Sequence, residues 1–166
     1  MIPHIQADLA KSFSLASQQN AYSLVKRIFL SLPLREVDPE QQELQPSHIR
    51  EIRVRLTTEP ELIAPEEWKI DRLMEGQATK LQDRPLRPYH DKLIGLTEEM
   101  TVKVTIAATF VDQDGGAGET LTEHDITVLP ADYWGGESRQ PELLAAFVQP
   151  NTHTVEVLTA KVTHLL

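Results

Sequence analysis

Residues 101–111 read TVKVTIAATFV, residues 112–118 DQDGGAG and residues 119–129 ETLTEHDITVL. In the first stretch Val102, Val104, Ile106, Ala108 and Phe110 recur at every second position, while Thr101, Lys103, Thr105 and Thr109 occupy the alternate ones. A period of two, with β-branched residues on both sides, marks a half-buried strand. The connector carries three glycines and two aspartates. These residue types supply the positive φ angles and local hydrogen bonds of a reversing loop. The third stretch then reads as an antiparallel return strand. This hairpin decides for a mainly β fold.

Other strands follow on both sides. Residues 49–58, IREIRVRLTT, set Ile52, Val54 and Leu56 against Arg53, Arg55 and Thr57. Apolar-in, charged-out alternation belongs to a sheet with one solvated face. Residues 22–32 place Leu24, Ile28, Leu30 and Leu32 at even positions, with Lys26 interrupting that face. Residues 11–15, KSFSL, form a short opening strand. Residues 68–70 and 78–81 are weaker strands, separated by the turn-like Met74-Glu75-Gly76-Gln77. Residues 93–100 read as a short helical turn in which Leu93 and Leu96 pack while Glu98 and Glu99 stay in water. Residues 33–47 hold three prolines among Glu and Gln, which predicts an exposed, mobile excursion.

The end of the chain changes period. Pro141 and Glu142 suit the first turn of a helix over 141–148, and Pro150 stops it. Asn151 or Thr152 can cap a second helix over 154–166, on which Val155, Leu158, Val162 and Leu165 share a face. That face has no C-terminal cap after it, which predicts packing on a following domain. The expected architecture is mainly β: an immunoglobulin-like β-sandwich of about seven strands with C-terminal helices. The sandwich domain takes residues 1–136. Residues 137–166 form a helical extension leading toward a missing downstream domain. Tyr133 and Trp134 cover one end of the core or anchor a neighbouring domain. Together with Leu158, Val162 and Leu165 they are the candidate interaction residues.

Composition narrows the function. The chain has 166 residues, 40% of them apolar and 25% charged, and a formal charge of −9. This is the make-up of a globular domain, and its overall field repels a phosphate backbone unless cations cluster. With no Cys, disulfides, thiolate metal sites and cysteine catalysis are excluded. The first residues lack a basic leader followed by an apolar run, so a cytoplasmic location is expected. The six histidines, His4, His48, His90, His124, His153 and His164, form no close metal pair. Neither a Gly-x-Ser-x-Gly elbow nor a phosphate-binding Gly-Lys-Ser/Thr is present. No catalytic residue, metal or cofactor is therefore expected. Glu123, His124 and Asp125 are dense, but neighbours on a strand point to opposite faces. Arg50, Arg53 and Arg55 approach a basic stripe, read first as a solvated sheet face.

A resemblance adds to this. Ser17-Gln18-Gln19-Asn20, Trp68-Lys69-Ile70-Asp71-Arg72-Leu73 and Gly95-Leu96-Thr97-Glu98 resemble parts of the N-terminal region of large bacterial superfamily-one helicase-like proteins. So does Trp134-Gly135-Gly136, followed by Pro141-Glu142-Leu143-Leu144-Ala145-Ala146-Phe147-Val148 and Pro150-Asn151. The likeness runs over about residues 12–158. It implies a β-sandwich that precedes a transglutaminase-like region and a helicase motor. The 33–47 insertion is longer than usual in that family, and no motor motif is present here. The resemblance implies a non-catalytic accessory domain that positions its neighbours or binds a protein partner, in nucleic-acid processing or anti-phage defence. Self-association through the last helix would fit the same picture. Two alternatives stand beside it: an enzyme using Glu123, His124 or Asp125, and direct nucleic-acid binding through the arginine strand. A pocket of convergent titratable groups would favour the first, and a contiguous positive face the second.

Overall fold

The computed structural model describes residues 1–15, 23–35 and 47–131. Among these are eight strands: β1 (His4–Leu9), β2 (Ser12–Phe13), β3 (Val25–Ser31), β4 (His48–Glu59), β5 (Glu66–Met74), β6 (Ala78–Lys80), β7 (Met100–Asp112) and β8 (Ala117–Val128). One short helix, α1 (His90–Ile94), lies between β6 and β7. The helices expected over 141–148 and 154–166, and the domain boundary at 136, fall outside the described residues. Residues 36–46 of the proline-rich stretch do as well.

The strands form two sheets, β1-β3-β6 and β2-β8-β7-β4-β5. The expected hairpin is the centre of the larger one. β7 and β8 pair antiparallel from Met100↔Val128 to Val111↔Ala117 without a register shift. Its loop closes through the Asp112 N–H donating to the Gly116 carbonyl, 2.8 Å, with Gly115 at φ 87°. Both lobes of residues 68–81 are strands, but they do not pair with each other. The turn at Glu75-Gly76 carries the chain from one sheet to the other, so β5 lies beside β4 and β6 beside β3. β1 lies outside the strands read from the sequence. It is short, and of its inward residues only Ile5 is fully buried.

The two sheets share one core. Ile28, Leu30 and Leu32 of the small sheet and its margin belong to the same buried cluster as Ile52, Val54, Leu56, Val102, Val104 and Ile106 of the large one. Each such side chain contributes about 1.5–3 kcal/mol by leaving water. Trp68 closes the β5 side. Its ring is buried, and its Nε1–H donates to the Gln82 carbonyl at 2.8 Å. Lys26, which broke the apolar pattern, has no partner in the β1–β3 ladder: Asp8 faces Arg27 and Leu9 faces Val25. A β-bulge absorbs the extra residue and keeps Lys26 exposed.

Glu75 ties together Arg35 and Ser47, the described residues that flank 36–46. Its carboxylate accepts the backbone N–H of Arg35 and, at 2.9 Å, that of Ser47. These two donors, Arg35 first, hold the Glu75 carboxyl below the usual carboxylate range.

Candidate functional site

The outer face of the five-stranded sheet is built by one irregularity in β4. Ile49 and Ile52 are both buried, although three positions separate them. Strict alternation would send one of them outward. Glu51 resolves the conflict. It sits at φ 53°, in the left-handed region, and the β4–β7 register skips from Arg50↔Val111 to Arg53↔Thr109. Two residues of β4 thus oppose one of β7, the geometry of a β-bulge. The consequence reaches the surface: Arg50, Arg53 and Arg55 all share the solvated face and are exposed.

β5 extends that column sideways. Arg50 stands directly opposite Arg72, and Arg53 directly opposite Lys69; all four are exposed. Next along, Arg55 is opposite Glu67. Among the described residues, none of Arg50, Arg53, Arg55 and Lys69 takes part in an ion pair. Arg72 lies 2.9 Å from His48 Nε2 through its Nη2, and it too has no ion-pair partner among the described residues. Like charges directly opposite destabilise a sheet. Two consecutive cation pairs are therefore a cost carried by the free domain.

The other side of the same face has the opposite sign. On β8 the outward residues are Glu119, Leu121, Glu123 and Asp125, facing Thr109, Ala107, Thr105 and Lys103 of β7. Lys103 Nζ meets Glu123 Oε2 at 3.3 Å, both half-exposed. Leu121 is 57% exposed, an apolar side chain left open in the middle of the face. Between the cationic β4 and acidic β8 columns runs β7, whose Thr105, Ala107, Thr109 and Val111 carry no charge. Two strand spacings, roughly 10 Å, separate the columns, too far for most direct pairs.

The catalytic alternative loses its cluster. Glu123 and Asp125 point outward, while His124 lies on the inner side with Thr122, whose Oγ1 is 3.4 Å from His124 Nε2. A cavity of about 370 Å³ lies where β4 begins and β7 ends, lined by Arg35, Ser47, His48, Ile49, Asp112 and Asp114 among others. Two of its polar side chains have structural duties, whereas Ser47 Oγ is buried there with no hydrogen-bond partner among the described residues. Asp112 Oδ1 accepts the N–H groups of Asp114 and Gly116, at 3.0 and 2.6 Å, and His48 is engaged by Arg72. Among the described residues, no three His, Asp or Glu side chains gather as a metal site. No helix there is long and apolar enough to cross a membrane.

Tyr133, Trp134, Leu158, Val162 and Leu165 lie outside the described residues. Of the arginine stripe, the sequence alternation brings Arg53 and Arg55 together. Arg50 joins them only through the bulge, and Lys69 and Arg72 only through the β4–β5 register. Comparison with known protein families, curated proteins and solved structures returned no match.

Proposed function

We propose that this chain is a non-catalytic interaction domain that docks a protein partner on the outer face of its larger sheet. The observation that carries this is the pair of cross-strand cation contacts, Arg50 with Arg72 and Arg53 with Lys69, none of which has an ion-pair partner among the described residues. An acidic surface laid on them would supply one, through forked guanidinium–carboxylate bonds. A flat face bearing both signs of charge suits a protein surface.

The strand order supports an immunoglobulin-like topology. The opening strand divides between sheets: β1 pairs with β3 in the small sheet, and β2 runs parallel to the final β8 in the large one. The remaining large-sheet strands lie in the order β8-β7-β4-β5, as in a two-sheet Greek-key sandwich. Placement as an accessory domain of a larger bacterial helicase-like protein, in nucleic-acid processing or defence, rests on the sequence resemblance and is consistent with a domain that works by docking.

A contiguous cationic surface also favours a second reading, direct nucleic-acid binding. Two features count against it. The acidic β8 column faces the same way two strands off, and among the described residues the face offers no aromatic ring for base stacking. The two readings separate in titrations at low ionic strength. Polyglutamate should bind the full chain, and Arg50→Gln with Arg53→Gln should abolish the signal. Duplex DNA of equal charge should bind more weakly. Tighter binding to DNA would transfer the face to nucleic acid; silence with both probes would remove the docking reading.

A further inference from the structure

Resting on the outer face as a docking surface, we propose that one partner for it is a second copy of this chain, packed face to face about a two-fold axis along β7. The sign pattern selects this arrangement. β7 is the middle column, uncharged from Thr105 to Val111 with Lys103 beyond that stretch and paired to Glu123, and it has the cations of β4 on one side and the acids of β8 on the other. A two-fold running along β7 exchanges the sides and preserves the level along the strands. The β4 of each copy then lies over the β8 of the other. A two-fold running across the strands would instead stack β4 on β4, cation against cation. Closed two-fold dimers need such self-complementary surfaces.

Register specifies the contacts. Arg53, Thr109 and Glu119 lie on one level, so Arg53 of each copy meets Glu119 of the other, twice per dimer. One level along, Arg55, Ala107 and Leu121 align. The aliphatic stem of Arg55 then covers the exposed Leu121 of the second copy, and its guanidinium remains free for Glu119 or Glu123. The centre of the contact is Thr105, Ala107, Thr109 and Val111, uncharged and small, with charge around it, the layout of a specific interface.

The test is sedimentation velocity on the full chain, over roughly 1–100 µM, with Arg53→Glu, with Glu119→Arg, and with the two variants mixed. The wild type should form a reversible dimer that added salt weakens. Each variant alone sets like charges against each other twice and should weaken the dimer by about tenfold or more. In the equimolar mixture every pair is again of opposite sign, so dimer should return. A misfolded variant cannot be rescued by mixing. A wild type that stays monomeric throughout, a dimer that both variants leave intact, or a mixture that fails to recover would each overturn the proposal. If the monomer still binds polyglutamate, self-association fails but the docking face survives.

Discussion

The left-handed residue in β4 is the hinge between the fold and the charged face, and it can be tested by itself. Glu51 adopts φ 53° within a strand. A non-glycine residue there costs about 1–2 kcal/mol of steric energy. Glycine escapes that cost but loses about 0.5–1 kcal/mol more backbone entropy on folding. Glu51→Gly should therefore be neutral or stabilise by up to about 1.5 kcal/mol. Glu51→Val places a branched Cβ at the same φ and should destabilise by at least about 1 kcal/mol, since β-branched residues are genuine outliers there. The gap between the two variants is about 2 kcal/mol, or roughly 4–8 °C in midpoint for a chain of this size. Urea denaturation followed by far-UV circular dichroism measures it. In an ordinary strand the order would reverse, because valine favours strands and glycine disfavours them. Valine more stable than glycine would refute the bulge, and with it the placement of Arg50 beside Arg53 and Arg55.

Two further outcomes are expected. A Cβ on Gly118 would run into the ring of Phe110, so Gly118→Ala should displace a buried ring and cost about 1–3 kcal/mol, measured as a shift in denaturation midpoint; an unchanged midpoint would contradict the contact. Glu75 has its carboxyl held below the usual range by the N–H groups of Arg35 and Ser47, so its contribution is present above that range and lost as pH falls through the lower folded value. Glu75→Gln should flatten the acid side of the stability–pH curve, and a curve superimposable on the wild type would remove Glu75 from that role.

Much of the fold is legible in the sequence because its strongest elements alternate cleanly. Residues 101–111 and 119–129 declare a hairpin, and Arg53 and Arg55 declare an outward face. What is not legible depends on pairing at a distance. Only a register can set Lys69 beside Arg53, or Arg72 beside Arg50. Ile49 and Ile52, three apart, carried the one local hint of a bulge, and the same spacing is also compatible with a helix. β1 escaped because Ala7 and Leu9 are only partly buried and make a faint pattern. The division of residues 68–81 between two sheets is likewise a tertiary matter, fixed by where Glu75 and Gly76 cross.

The central claim is that the outer face of the larger sheet is where this domain is bound. It is tested most directly by amide chemical-shift mapping of the isotope-labelled chain, titrated with polyglutamate at low ionic strength. Shifts should concentrate on the strands carrying Arg50, Arg53, Arg55, Lys69 and Arg72, and should vanish with Arg50→Gln and Arg53→Gln. Shifts centred instead on cations outside this face, such as Lys26 or Arg84, or no shifts at all, would contradict the account.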